Sequence, residues 1–439
     1  MNFVGVLPPF VRKKIEHRPG LKRILENIAW LVFDKAWRLG LGFVVAVWLA
    51  RYLGAAQYGL WSYATALGAI FIGIATLGLD SIVIRDLVRH PEKTREILGS
   101  AFTLKLIGGV VALAAACLCV WLLRSGEADA FWLVTLISAS SIFHAFNVID
   151  FYFQSQVAAK YTVYSTNAAF TLMAALKIYF LLTAAPLMAF AWANLGEAAL
   201  TAIFLALASH FKHLPLHHWR ARLETITRMM RDGWPLLLAG MAVMVYMRVD
   251  AIMLQYMLDD HAVGIYSAAT RLSEIWYMVP TVIVASVSPA IIQAHGEDSG
   301  LYLKRLRQLY SAMFWAAVLI STPISLFSSW IMDTLFGGEF LASGPVLAIH
   351  LWASIAVFLG VASSQYLVIE HLEKISFYRT LIGLICNILL NIGLIPTYGP
   401  VGAAIATVIS YFVATFSLCL FRPTRSHTGL LVASPLLPK

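Results

Sequence analysis

Apolar residues run for twenty or more positions at a time along this chain, and short polar breaks separate the runs. A helix crossing a bilayer needs about 20 such residues, and twelve runs qualify: 28–50, 59–79, 98–123, 131–153, 161–184, 186–209, 233–257, 262–292, 309–332, 341–369, 375–395 and 399–421. The pattern predicts an all-α integral membrane protein with twelve transmembrane helices. Composition agrees: 60% of residues are hydrophobic, 13% are charged and the mean hydropathy is +0.77, well outside the balance of a soluble domain. The opening stretch, MNFVGVLPPFVRKKIEHRPGLKRILEN, places its basic residues after a short apolar segment with Pro8 and Pro9, the wrong order for a cleaved signal. Residues 12–26 therefore read as a cytoplasmic, amphipathic lead-in.

Charge then sets the orientation, because short basic loops stay cytoplasmic. With the N-terminus inside, 24 of the 32 Lys and Arg fall in cytoplasmic segments, Arg379 among them, and only Arg51 and Arg124 fall in the opposite loops. Both termini are expected inside. The net charge of +9 is accounted for by a basic face on an anionic leaflet, with no nucleic acid partner. The four cysteines, Cys117, Cys119, Cys386 and Cys419, lie inside spans without CxxC spacing or nearby His, and read as packing residues. Neither a metal cluster, a nucleotide fingerprint nor a nucleophile with its base stands out, so no cofactor and no enzyme activity are expected.

The chain also repeats itself. YGLWSYATAL at 58–67 lies in register with VGIYSAATRL at 263–272, a shift of 205, and 164–189 aligns with 378–403 at a shift of 214. Two six-helix lobes follow, 28–209 and 233–421, preceded by a lead-in over 1–27, joined by the basic cytoplasmic linker 210–232 and followed by a tail over 422–439. Related halves of six helices keep one orientation and are expected to face each other across a central cavity.

ARYLGAAQYGLWSYA, LGLDSIVIRDLVRHPEK, RVDAIMLQYMLDDHAVGIYSAATRLSEIWYMVP and IPTYGPVGAAIATVISY resemble the signature stretches of bacterial polysaccharide-unit (Wzx-type) flippases, members of the multidrug/oligosaccharidyl-lipid/polysaccharide exporter superfamily. The resemblance spans roughly 25–421. It implies a two-lobed inner-membrane transporter that carries an undecaprenyl-diphosphate-linked oligosaccharide to the periplasmic leaflet for O-antigen, capsule or exopolysaccharide assembly. Membrane lipids, a polysaccharide polymerase and a chain-length regulator would be its partners. Rival readings are a peptidoglycan-precursor flippase, which typically has fourteen spans, and a drug or cation antiporter of the same superfamily, expected to have an acid-dominated cavity. A sugar transporter of the major facilitator type and a membrane polymerase fit less well. The loop between spans two and three lacks the facilitator motif, and the periplasmic loops are short.

Such a cargo brings about two negative charges and many hydroxyls, so the spans should supply cations, each costing about 2.5–3.5 kcal/mol at a helix centre. Lys35, Arg38, Lys105, Lys177, Arg248 and Arg271 lie within spans and are the expected diphosphate or anionic-glycan contacts. Asp34 and Arg38 are i and i+4 on one face and can pair, as can Arg271 and Glu274 at i and i+3. Lys35 can instead snorkel to the interface. Lys105 and Lys177 have no acid within one turn, and Arg248 and Asp250 point to different sides of their helix. Asp80 and Asp150 read as interfacial. The interior is expected to be net cationic, with the N-terminal lobe as the stronger phosphate side.

Glu197, about 16 Å into its span by helix rise and without a basic neighbour in sequence, is the leading ion-coupling residue, followed by Asp250, Glu274 and Asp34. Trp61, Tyr63, Tyr152, Tyr246, Tyr266, Tyr277, Asn147, Asn194, Asn387 and Asn391 are candidate sugar contacts, although with aromatics at 13% of the chain an interface-belt or core role is the default for any one of them, and His144 and His350 read as hydrogen-bonded interior histidines. Pro280, Pro289 and Pro323 mark bends or hinges.

Overall fold

The computed structural model describes residues 19–212 and 216–434, with side chains from Ala29 onward except Ser426. The lead-in before Pro19, three positions of the linker and the last five of the tail lie outside the described residues. Every regular element among those described is helical, as backbone groups inside hydrocarbon require. Among the described residues, ten helical stretches are long and apolar enough to cross a membrane. Two of them, Ala29–Arg89 and Glu373–Leu420, hold two of the expected runs each, and each is broken at a glycine in the left-handed region: Gly54 at φ 71° and Gly399 at φ 58°. In the repeat registers Gly54 corresponds to Asp259, between two separate helices, and Gly399 to Ala185, in another interhelical turn. Splitting the two long stretches there gives the twelve crossings.

Two compact units form, one holding the chain up to Leu49 with Leu67–Met241, the other Ala50–Ala66 with Ala242 onward. This division differs from the lobes expected around the 210–232 linker, for two local reasons.

The first lies in the N-terminal unit, which contains most of α1 (Pro19–Ala75), α2 (Asp80–Arg89), α3 (Thr94–Leu123), α4 (Ala128–Phe143), α5 (Val148–Ser155), α6 (Ala159–Leu182), α7 (Leu187–Phe211) and the start of α8 (Leu223–Met257). Leu79, Ile82 and Val83 pack with Leu98 and Leu104 of α3, Phe151 and Phe153 of α5 and Met229 of α8. Ion pairs tie the linker's end to the same core: Arg85 reaches Asp232 at 3.1 Å, and Arg228 reaches the buried Asp86 at 3.1 Å. A Cβ on Gly78, at φ 63°, would lie 2.6 Å from the Leu237 nitrogen, so only glycine lets α8 approach. The start of α8 is thus held by α2 and α3.

The second reason is a clasp in the C-terminal unit, which contains the rest of α8, α9 (Asp260–Glu274), α10 (Met278–Glu297), α11 (Ser299–Leu326), α12 (Ser328–Phe336), α13 (Ser343–His350), α14 (Ala353–Ile369), α15 (Glu373–Phe416) and α16 (Arg425–Ala433). Helix α1 restarts after Gly54 with its orphan amides facing outward, and the Glu339 carboxylate accepts the Ala55 N–H at 2.7 Å. Arg51 donates to the Thr334 carbonyl at 3.0 Å. Gly59 and Gly264, repeat counterparts, then cross: a Cβ on Gly59 would sit 1.6 Å from the Asp260 carbonyl, and one on Gly264 would sit 1.9 Å from the Ala55 carbonyl. Ala55 and Asp260 are counterparts as well, so the two repeats meet here in reciprocal fashion.

Elsewhere in this unit Tyr310 and Met313 of α11 pack with Phe358 and Leu359 of α14 and Leu431 of α16. His427 of α16 shares a hydrogen bond with the Tyr310 hydroxyl at 2.8 Å and stacks on Tyr366. Burial, with Arg379 nearby, pushes the His427 imidazole down to about 4, so it is neutral at pH 7. Arg379 itself corrects the loop census. It lies within α15, 9% exposed, donating to Ser363, Ser364 and the Gly360 carbonyl of α14. Pro280 falls in the first turn of α10, where its missing N–H costs nothing, whereas Pro289 and Pro323 lie inside α10 and α11.

Candidate functional site

Six cations stand within the spans, and the structure sorts them by access. In the N-terminal unit Arg38 Nε lies 3.6 Å from Asp34 Oδ1, the expected i, i+4 pair, and its guanidinium donates to the Thr166 carbonyl of α6 at 3.3 Å. It also lies over the Phe170 ring, 5.2 Å from the centroid. Lys105 and Lys177 gain partners that no single-helix window contains. Lys105, 3% exposed, binds Asp80 at 2.9 Å and sits over Phe151. Lys177 binds Glu197 at 3.0 Å across the α6–α7 hairpin. The expectation of an unaccompanied Glu197 is thereby corrected: its partner lies 20 residues away, on the facing helix.

In the C-terminal unit Arg248 Nη1 lies 3.8 Å from Glu274 Oε2. Glu274 therefore takes its ion pair from α8, not from Arg271 one turn away, and Arg271 is exposed. Lys35 is exposed as well. Four of the six cations carry an acid, so the excess of positive charge among them rests on Lys35 and Arg271. Those open to an anion are Lys35 and Arg271, together with the partly exposed Arg38 and Arg248, at 37% and 39%. Lys105 and Lys177, at 3% and 14%, could reach an anion only by leaving their carboxylates.

A second feature was hidden in the sequence. Asp250, 4% exposed, is the centre of a polar cluster inside the C-terminal unit. Tyr266 of α9 and Thr407 of α15 each donate to Oδ2 at 2.7 Å, and Asn391 of α15 donates to Oδ1 at 2.6 Å. Asn391 also donates to Asn387 Oδ1 at 3.1 Å, one turn back. This leaves Asn391 Oδ1 and Asn387 Nδ2 buried without a partner. Asp250 has no ion pair among the described residues. The carboxylate, two hydroxyl oxygens and an unused amide oxygen gather here, and oxygen ligands of this kind are those a small hard cation prefers. Of the candidate sugar contacts, Asn391 and Tyr266 bind this carboxylate and Asn387 braces Asn391.

The remaining expected residues disperse. Tyr63 is core, Tyr246 donates to Ser410, Asn147 pairs with His144, and His350 shares a hydrogen bond with Ser273 at 2.7 Å. Both histidines are hydrogen-bonded, as expected.

The family model described as polysaccharide biosynthesis protein matches residues 24–295. The chain belongs to the polysaccharide biosynthesis protein family, within the multidrug/oligosaccharidyl-lipid/polysaccharide exporter superfamily. A MatE family model also matches this polysaccharide biosynthesis protein, over residues 235–392. A probable flippase of Haloferax volcanii, AglR, is 30% identical over 191 residues, 41% of this chain and 38% of the relative. From the same organism, the probable low-salt glycan biosynthesis flippase Agl15 is 26% identical over 174 residues, 39% and 36% of the two chains. The aligned part is little more than a third of these relatives' length.

Among solved structures, an inward-facing multidrug resistance MATE family transporter superposes with a TM-score of 0.71 at 16% identity, covering 92% of this chain and 99% of that one. The lipid II flippase MurJ, inward closed, gives 0.65 at 16%, covering 93% and 90%. A superfamily transporter from Pyrococcus furiosus gives 0.64 at 17%, covering 94% and 96%. At these identities the likeness establishes the fold of this polysaccharide biosynthesis protein: an all-helical, multi-pass membrane transporter architecture.

Proposed function

We propose that this protein is a flippase for a lipid-linked glycan, moving an undecaprenyl-diphosphate-linked oligosaccharide from the cytoplasmic to the periplasmic leaflet of a bacterial inner membrane by alternating access. Family membership supports the substrate class, and the glycan flippases of Haloferax are consistent with it. The observation that carries the reading is the set of accessible span cations, because an acid-dominated lining, expected of a drug or cation antiporter, would repel a diphosphate. Arg38 and Arg248 hold their acids at 3.6 and 3.8 Å, beyond hydrogen-bond length, so a phosphate oxygen can compete for the guanidinium. The Asp250 cluster supplies the coupling step: entry of a proton or cation there neutralises a buried charge and biases one conformation over the other. Twelve crossings favour a polysaccharide cargo over the peptidoglycan precursor.

Arg38 tests the reading. Arg38→Ala should abolish accumulation of lipid-linked glycan in the outer leaflet while the protein stays inserted and folded, and Arg38→Lys should retain part of it, since a cation remains without the planar fork. Full activity of Arg38→Ala would remove the phosphate role.

A further inference from the structure

Beside Arg38 the α1–α6 seam carries hydrogen-bonding capacity that the protein leaves unused. Both side-chain atoms of Asn167, Oδ1 and Nδ2, are buried without a hydrogen-bond partner, and the nearby Arg38 Nε has only the long 3.6 Å approach of Asp34. Asn167 follows Thr166, whose carbonyl accepts from Arg38 and whose hydroxyl donates to Asp34 at 3.4 Å. Buried amides are nearly always satisfied, and one left orphaned pays its desolvation cost with no return. An amide offers a donor and an acceptor side by side, the arrangement that a pair of neighbouring sugar hydroxyls complements. Aromatic faces flank the seam. Trp30 lies 4.9 Å from Tyr164, Phe33 stacks with Trp37 at 6.4 Å, and Trp37 is pinned by a hydrogen bond to Thr171. Apolar faces beside unsatisfied polar atoms suit a ring with one hydrophobic side and a hydroxyl edge.

We propose that the α1–α6 seam is a sugar subsite, in which the Asn167 amide bonds a hydroxyl pair of the first sugar while Arg38, one helix across, holds the adjoining phosphate. The proposal rests on the flippase reading and adds to it a residue that discriminates glycosylated from bare carrier lipid. At this depth water is scarce, and the cargo is the polar group that must pass. An orphaned amide lowers the stability of the empty protein and is satisfied when cargo arrives, so its free energy appears only in the bound state.

Two readouts on Asn167→Leu, similar in size and without polar atoms, separate this from a structural role. The probes are undecaprenyl diphosphate and undecaprenyl diphosphate carrying one N-acetylhexosamine, each titrated against purified protein in nanodiscs. Wild type should bind the glycosylated lipid at least 10-fold more tightly than the bare one. Asn167→Leu should bring the two within about 2-fold, a loss on the order of one good hydrogen bond, and should melt at or above the wild-type temperature because the orphan is gone. Asn167→Ser, which keeps a hydroxyl, should fall between the two in preference. Arg38→Ala should weaken both lipids alike and keep the preference. A lower melting temperature for Asn167→Leu would mean that the amide is satisfied within the fold, and an unchanged preference would mean that it does not touch sugar; either overturns the subsite alone. Failure of wild type to bind either lipid would overturn the flippase reading beneath it.

Discussion

Replacing Asp250 with asparagine removes one buried charge and almost nothing else. The amide oxygen can still accept from Tyr266 and Thr407, which donate to Oδ2 at 2.7 Å. The new NH2 would face the Asn391 donor at 2.6 Å, but an Asn391 flip turns its unused Oδ1 into the acceptor required. The stability cost should stay near the about 1–3 kcal/mol of exchanging charged for neutral hydrogen bonds. Coupling should suffer far more. The attraction of a cation to a unit charge at 4 Å in an effective dielectric of 20 is worth about 4 kcal/mol, which is about three orders of magnitude in affinity for a cation at the site. Proteoliposomes loaded with labelled lipid-linked oligosaccharide and given an imposed Na+ or pH gradient provide the assay, with melting temperature as the control. Asp250→Asn should abolish the gradient-driven component while cargo binding survives. Wild-type gradient-driven rates in a well-folded variant would refute the coupling role.

Two further perturbations bear on the packing. Gly59→Ala would push a methyl to 1.6 Å from the Asp260 carbonyl, a backbone atom that cannot turn aside, and should cost at or above the upper end of the about 1–3 kcal/mol of overpacking; Gly40→Ala, with nothing within 4 Å, should be neutral or gain up to about 1 kcal/mol. Equal melting temperatures for the two variants in detergent would count against the clasp. Lys177→Met should cost about 3 kcal/mol by stranding the Glu197 carboxylate, and most of that should return in the double variant with Glu197→Leu; Glu197→Gln should weaken the fold yet leave gradient-driven transport intact. Transport lost without a stability change would return the coupling role to Glu197.

Hydrophobic run lengths were enough to read the twelve crossings, because hydrocarbon allows few ways to bury a backbone. The repeat register then turned the two long helices into four crossings, since the counterparts of Gly54 and Gly399 stand in separate turns. Local charge pairs fared unevenly. Asp34 and Arg38 meet as their spacing dictates, while Glu274 turns to Arg248 because the neighbouring helix supplies a partner that a one-turn window cannot see. Lys105 and Lys177 failed for the same reason, with acids 25 and 20 residues away. Asn387 and Asn391 did carry a signal: their i, i+4 spacing puts two amides on one face, opposite some buried polar group. That the group is Asp250, 141 residues from Asn391, depends on how α8 packs against α15. Nothing in the sequence marks Asn167, whose distinction is the lack of a partner, a property of packing alone.

The central claim is that this chain moves a lipid diphosphate glycan, and translocation itself is the measurement that reaches it most directly. Purified protein in sealed vesicles, with a fluorescent undecaprenyl-diphosphate oligosaccharide placed in one leaflet, would be probed by a membrane-impermeant glycosidase. The account predicts protein-dependent passage of the glycan to the other leaflet, abolished by Arg38→Ala and undiminished for a correctly folded Gly40→Ala control. Passage no faster than in protein-free vesicles, or equal transport of a cationic dye in place of the anionic lipid, would contradict it.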